Sequence, residues 1–493
     1  MASLIIVAYF GVLLLLCTYG AHRAHLVWLC YRHRKRLAAV GELPALVEAD
    51  LPRVTIQLPL YNEATVVERL LDAVATMDYP RDRLEIQVLD DSNDETIQLA
   101  RRKVERLRDQ GLDIHYVRRP DRVGYKAGAL EYGLTSSTGE FIAIFDADFI
   151  PQPDFVRATI GHFADPKIAM VQTRWQHLNQ AVSLLTEIQA MMLNGHHLVE
   201  NRARCAAGHL FNFSGTGGIW RRAAIDDAGG WEHDTITEDL DLSYRAQLRG
   251  WRFIYRPDVT TPAELPEEMS AFRAQQYRWA KGTVQTARKH LRRILNDGGL
   301  GVEQRIEAVF HLTPHFAYPL MLLLSVLLLP ALILIPATDV LTMALVDLPL
   351  CLGATGSLAA FYCSAERAGG GTVGSALRRL PALIALGAGL SPHLSRAVLD
   401  GWNDMAGEFI RTPKRGRTAG RYRQRAQLPM VELGLLLLSL CAVVASIETG
   451  HYFATPFTML FAGGYGYVSY LVVSEQLSVG DDAPSTEVAP AAE

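Results

Sequence analysis

Three acidic motifs and one basic-aromatic motif hold the residues of this chain that could do chemistry. Asp90-Asp91 closes one apolar run, Asp146-Ala147-Asp148 closes another, Glu238-Asp239 opens a helix-like stretch, and Gln275-Gln276-Tyr277-Arg278-Trp279 follows. An acidic pair at the end of a strand suits a divalent cation, Mg²⁺ or Mn²⁺, that carries a diphosphate. A further carboxylate downstream can take a proton from an attacking hydroxyl. Each motif alone has a plainer reading. Asp91 or Ser92 could cap a helix, and the first turn of a helix favours acids such as Glu238 and Asp239 through its dipole. All four in this order, in a chain that also has membrane-length apolar runs, point to transfer chemistry with a diphosphate leaving group.

The segments between these motifs add donors and flat surfaces. Pro59-Leu60-Tyr61-Asn62-Glu63 makes a tight turn after the first strand. Lys126 opens a small-residue helix, where an ammonium and free backbone N–H groups favour phosphate. Ser214-Gly215-Thr216-Gly217-Gly218 permits close backbone approach, which a sugar lying across a sheet edge would need. Trp279 can stack on the apolar face of a sugar ring, and Arg278 can neutralise a leaving diphosphate.

The elements that must position these groups follow from the hydropathy pattern. Between about Pro52 and Pro262, Val54–Leu58, Leu84–Leu89, Ile114–Val117, Phe141–Phe145 and Ile168–Val171 read as strands. Helix-like stretches such as Ala64–Met77 and Asp94–Arg108 separate them. The alternation predicts an α/β domain, a Rossmann-like mostly parallel sheet with helices on both faces. Ligands in such sheets bind beyond the carboxyl ends of the strands, where the acidic motifs fall.

At 493 residues and 49% apolar content the chain exceeds one ordinary soluble domain. A net charge of −4 gives no bulk attraction for nucleic acid. Six cysteines without a Cys-x-x-Cys pair read as buried free thiols in a reducing compartment. Apolar runs near the bilayer-spanning length of about 20 residues cover Leu4–Tyr19, Phe316–Ile335, Val340–Tyr362, Leu433–Ser446 with its flanks, and Phe453–Val473. Leu380–Leu399, interrupted by Ser391-Pro392-His393, reads as a helix at the membrane interface. The basic stretch Arg411–Arg425 belongs in the cytoplasm, which five spans allow and six do not. The resulting plan is an anchor over 1–31, a cytoplasmic catalytic domain over 50–265 and interfacial helices over 266–305. Channel helices over 306–475, including a loop at 400–426, and a disordered acidic tail over 476–493 complete it.

These motifs resemble the family 2 inverting glycosyltransferases, and within them the processive membrane polysaccharide synthases. Asp91 (or Asp90), Asp146-Ala147-Asp148, Thr237-Glu238-Asp239 and Gln275–Trp279 reproduce the family's D, DxD, TED and QxxRW order. Gln57–Glu63, Gly215–Gly218 and Ala228-Gly229-Gly230-Trp231 are most similar to the cellulose-synthase-like glucomannan (mannan) synthases. Cellulose synthases generally have arginine where this chain has Gln276. Phe409–Lys414 resembles the family's gating loop, with Arg411 in place of valine. The resemblance implies a GT-A fold, a Mg²⁺ or Mn²⁺ cofactor and a polymer channel. It assigns Asp239, with Glu238, to catalysis and Asp146 and Asp148 to the metal. Tyr61, Glu63, Asp90, Asp91, Lys126, Asp146, Gln275, Arg278, Thr412 and Lys414 fall to the donor, and Thr216, Gly217 and Trp279 to the acceptor. The expected partners are a nucleotide-sugar, GDP-mannose or UDP-glucose, and a growing polysaccharide in a plasma (inner) membrane; an auxiliary export subunit is left open. Non-processive enzymes that move one sugar to a lipid, such as ceramide glucosyltransferases, share the acidic motifs. A transporter or scaffold built on a degenerate enzyme domain would lack part of the acidic set, which is whole here.

Overall fold

The computed structural model describes residues 2–39, 48–335, 355–405 and 428–480. In the middle segment the apolar runs become strands because β-branched and aromatic side chains fill them and acids or turn formers stop them. The strands are β1 (Val54–Leu60), β2 (Leu84–Asp90), β3 (Asp113–Val117), β4 (Phe141–Ile144), β5 (Ile168–His177), β6 (Gly218–Arg221) and β7 (Arg252–Ala263). They form a seven-stranded sheet in the order β3-β2-β1-β4-β6-β5-β7. β1 runs parallel to β2 and β4, β2 to β3, and β5 to β7; β6 alone is antiparallel to both of its neighbours. β2 and β4 are buried along their whole length, as central strands covered by helices on both faces must be. The expected α/β sheet is therefore present, with helices before and after it in the chain.

Strand order reverses at β1: the chain moves outward through β2 and β3, then returns to β4 on the other side. A crevice opens at the carboxyl ends of β1 and β4 where such a reversal occurs, which puts the segments after Leu60 and Ile144 at its mouth. Two strands, β6 and β7, were not anticipated, and β5 is longer than its apolar run. It continues through Gln172, Thr173 and Arg174 to His177 because β7 pairs with it as far as His177↔Ala263.

Among the described residues, five helices are long and apolar enough to cross a membrane: Ala2–Arg32, Pro314–Leu334, Val373–Asn403, Met430–Glu448 and Thr455–Leu477. The third contains the segment read as interfacial. It is one continuous 31-residue helix with Pro381 and Pro392 inside it, and the Ser391-Pro392-His393 interruption does not break it. The expected span over Val340–Tyr362 falls mostly outside the described residues; its end lies in the helix Ser357–Ala368. Arg411–Arg425 and the acidic tail beyond 480 are also outside them. The cysteines described (Cys17, Cys30, Cys205, Cys363 and Cys441) are free thiols, although Cys441 is exposed.

The helix Met269–Asn296 joins the sheet domain to the apolar helices. Its first backbone N–H groups are capped by the Glu475 carboxylate, with Ser270 N donating at 3.0 Å. Arg273 pairs with Glu432 at 2.8 Å, and Tyr277 donates its hydroxyl to Asp400. Lys281 meets Asp404 at 3.1 Å, and Gln285 donates to the Asp404 carbonyl at 2.9 Å.

Candidate active site

The crevice holds a cavity of about 210 Å³ whose lining joins most of the sequence motifs. Tyr61 and Glu63 enter from the turn after β1, Asp91 from the end of β2, Lys126 from the start of the helix Tyr125–Leu134, and Asp146 and Asp148 from beyond β4. Ser214 and Gly215 approach across the sheet edge. Glu238 and Asp239 open the helix Glu238–Gln247, and Gln275, Arg278 and Trp279 project from the helix Met269–Asn296.

Lys126 links the segment after β4 to the glycine loop. Its ammonium pairs with Asp146 and donates to the Gly215 carbonyl at 2.9 Å. Gly215 has φ +81°, and a Cβ placed there would lie 3.0 Å from Asp239 Oδ2 and 3.6 Å from Lys126 Nζ. A bare backbone at 215 therefore lets the acid, the lysine and the loop share one spot. The Thr216 hydroxyl accepts the Asp146 backbone N–H at 2.9 Å, tying the glycine loop to the segment after β4.

Asp239 is fixed in the first turn of its helix. Its Oδ1 accepts the Leu240 N–H at 2.8 Å, while burial and the adjacent Glu238 carboxylate push its carboxyl up to about 7. Burial raises Glu238 as well, against the pull of Lys126. Desolvation lowers the half-buried Arg278 guanidinium to about 10 despite Glu238 and Asp146 nearby. Asp241, two residues beyond Asp239, serves structure instead. It is fully buried, accepts from Arg245 at 2.7 Å and His290 at 2.6 Å, and is held well below the usual carboxylate range, at about 2.

Three expected ligands take other places. Asp90 does not line the cavity; it is buried, accepting from Tyr116 at 2.6 Å and from Ser92 N at 2.9 Å. Successive strand residues face opposite sides, so Asp91 alone meets the crevice, braced by Arg119 through two bonds of 2.8 and 2.6 Å. Thr216 and Gly217 lie behind the lining, where the Gly217 carbonyl accepts from Thr173 at 2.7 Å; Ser214 and Gly215 take the front. Thr412 and Lys414 fall outside the described residues.

Several lining residues carried no sequence assignment. Arg122 stacks 3.3 Å above the Tyr61 ring centre, and Trp175, His177, Leu193 and Glu264 also line the cavity. Extending β5 by its alternation would have exposed Trp175 and His177 as residues of one face.

The donor set suits a divalent cation. The cavity is lined by seven carboxylates (Glu63, Asp91, Asp146, Asp148, Glu238, Asp239 and Glu264) against three permanent cations, Arg122, Lys126 and Arg278. Hard oxygen ligands from Asp146 and Asp148 at the mouth match what Mg²⁺ or Mn²⁺ takes. A second acidic group, Glu232, Asp234 and Asp241, is already bridged by the Lys289 ammonium at 2.6, 2.7 and 2.9 Å.

Comparison with known proteins gives the family of the sheet domain. The profile of Glycosyltransferase like family 2 matches residues 52–282. Residues 52–282 are a family 2 glycosyltransferase domain. Glucomannan 4-beta-mannosyltransferase 2 of Arabidopsis thaliana is 40% identical over 290 residues, 58% of this chain and 54% of that protein. Glucomannan 4-beta-mannosyltransferase 1 of Oryza sativa subsp. japonica is 41% identical over 273 residues, 54% of this chain and 52% of that one. The chain thus spans about half the length of the curated relatives it matches. Among solved structures, a mannosyltransferase of Pyrobaculum calidifontis in complex with GDP-Man and Mn²⁺ superposes with a TM-score of 0.51 at 25% identity, covering 74% of this chain and 96% of that one. The glycosyltransferase domain accordingly has the GT-A fold.

Proposed function

We propose that this chain is a processive inverting β-mannosyltransferase that adds mannose from GDP-mannose to a growing β-linked polysaccharide. The observation that carries the reading is the meeting of Asp239, Gly215, Lys126 and Asp146 in one cavity with Arg278 and Trp279. The named activity of the curated relatives and the GDP-Man held by the Pyrobaculum enzyme support mannose over glucose.

Asp239 takes the proton of an acceptor hydroxyl as that oxygen attacks the anomeric carbon. The bond to the nucleotide breaks on the opposite face, and the configuration inverts. Trp279 stacks the acceptor sugar so that the hydroxyl points at Asp239. Lys126 and Arg278 stabilise the charge growing on the departing diphosphate. Asp146 and Asp148 would hold a divalent cation, whose chemistry is to neutralise that same leaving group. Burial keeps Asp239 basic enough to accept a proton near neutral pH.

The candidate spans and the close seat of the helix Met269–Asn296 on them favour polymer export by the same chain, with the domain on the cytoplasmic side of a plasma (inner) membrane. The test is to incubate the purified full chain with labelled GDP-mannose or UDP-glucose, with and without Mn²⁺, and to analyse the linkage of the product. Incorporation of glucose alone would overturn the donor assignment. A single sugar on a lipid-soluble product would overturn processivity.

A further inference from the structure

The turn before Lys126 carries a cation that the transfer chemistry above does not use. Gly124 and Tyr125 in this turn both stand at positive φ, +73° and +49°. A tyrosine in that region is uncommon, and it persists only where surrounding contacts hold it. Arg119 provides them: its guanidinium donates to the Val123 carbonyl and, at 2.7 Å, to the Tyr125 carbonyl, while it also grips Asp91. The turn so held sets the Arg122 guanidinium over two rings, 3.3 Å from the centre of Tyr61 and 4.9 Å from that of Tyr125. All three side chains belong to residues that line the cavity. The other permanent cations of the lining have acids beside them. Lys126 pairs with Asp146, and Arg278 has Glu238 and Asp146 nearby. Arg122 makes no ion pair and no side-chain hydrogen bond among the described residues, although seven carboxylates share its cavity.

Resting on the nucleotide-sugar reading above, we propose that Arg122 is a donor-binding residue: its guanidinium, steadied by the Tyr61 and Tyr125 rings, donates to the diphosphate of the nucleotide. A guanidinium without a carboxylate partner in a ligand cavity calls for an anion, and its planar fork of N–H donors matches phosphate oxygens. Among the groups that meet in this cavity the diphosphate is the anion. The acceptor is a neutral sugar, and a divalent cation would be repelled. Arg122 also lies just before the helix Tyr125–Leu134, whose N-terminal dipole favours negative charge at the same place. Contact with an aromatic face fixes the plane of a guanidinium and leaves the N–H groups on its edge for a ligand. Less side-chain freedom is then lost when the phosphate arrives.

The experiment titrates the purified full chain, as wild type, Arg122→Gln and Arg122→Lys, with GDP and with UDP at constant Mg²⁺. Loss of a charge-assisted hydrogen bond should weaken GDP on the order of ten- to a hundredfold in Arg122→Gln. UDP should weaken by the same factor, because the two nucleotides share the diphosphate and differ in the base. Arg122→Lys keeps the charge without the fork, so its affinities should fall between those of wild type and Arg122→Gln. In transfer assays the donor KM should rise in Arg122→Gln while the acceptor KM holds. Unchanged nucleotide affinity in Arg122→Gln overturns the proposal. A shifted ratio of GDP to UDP affinity does so too, since it would assign Arg122 to the base. Arg122→Lys binding no better than Arg122→Gln, or an acceptor KM that rises in parallel, would reduce Arg122 to a support of the turn and overturn it as well. If UDP-glucose proves to be the donor, the mannose reading fails alone, and the same comparison read with UDP still decides the role of Arg122.

Discussion

Gly282 of the helix Met269–Asn296 lies directly against Thr237, the residue before Glu238 and Asp239: a Cβ at 282 would fall 2.5 Å from Thr237 Cγ2. The contact sets the spacing between the helix that carries Arg278 and Trp279 and the turn that presents Glu238 and Asp239. The neighbouring Ile236 N–H, bonded to Gln285 at 2.9 Å, fixes their register. Gly282→Ala should push the two apart by part of an ångström. Misplacement on that scale can cost about a hundredfold in rate, against a stability loss of about 1–3 kcal/mol for overpacking. A thermal melt read beside a transfer assay checks this; full activity in Gly282→Ala would refute the spacing role.

Asp239→Asn keeps the shape and hydrogen-bonding size of the side chain and removes its basicity. Transfer should fall by roughly two to four orders of magnitude, while GDP affinity measured by calorimetry changes little. Turnover near the wild-type value in this variant would move the base elsewhere.

The same carboxyl sets a pH limb. Because burial and Glu238 push Asp239 up to about 7, it carries its proton at lower pH and cannot accept another. The rate of transfer should therefore fall as pH drops through about 7, far above the ordinary carboxylate range. A rate profile that stays flat from neutral pH down to pH about 5 would contradict the assignment.

Asp146→Ala and Asp148→Ala should each abolish the part of GDP affinity that depends on added Mn²⁺ or Mg²⁺, because either change removes one of two hard oxygen ligands. Asp146→Ala has a second effect, since it also releases Lys126 from its partner. Calorimetry with GDP, with and without the metal, separates the two; metal-dependent affinity unchanged in both variants would give these acids another role.

Much of this site was legible because its chemistry sits at strand ends. Asp146 and Asp148 follow the apolar strand β4, and Glu238 and Asp239 start a helix, so pattern and turn residues place them without tertiary information. Where the sequence misled, packing decided. Asp90 and Asp91 are equivalent as letters, and only the strand's alternation and the Tyr116 and Arg119 partners separate the buried acid from the one facing the cavity. Likewise β7 could not be read from Arg252–Ala263, which carries Pro257, Asp258 and Pro262; its pairing with β5 supplies what local propensity does not. His177 was missed for the same reason, since the strand that carries it is polar beyond Val171 except at Trp175.

The helix Met269–Asn296 is fastened at several heights to the apolar helices: by Glu475 at its start, Glu432 and Asp400 in its first half, and Asp404 further on. No hinge separates Arg278 and Trp279 from these fastenings. A bilayer thicker or thinner than the apolar helices prefer would tilt them, and that tilt would arrive at the reacting sugar undamped. Lipid composition then acts on turnover as directly as a substitution in the cavity, and detergent samples a single setting of it. Reconstitution into bilayers of stepped acyl length should give a rate that peaks at one thickness while GDP affinity stays level, and a rate indifferent to thickness would show that the fastenings yield.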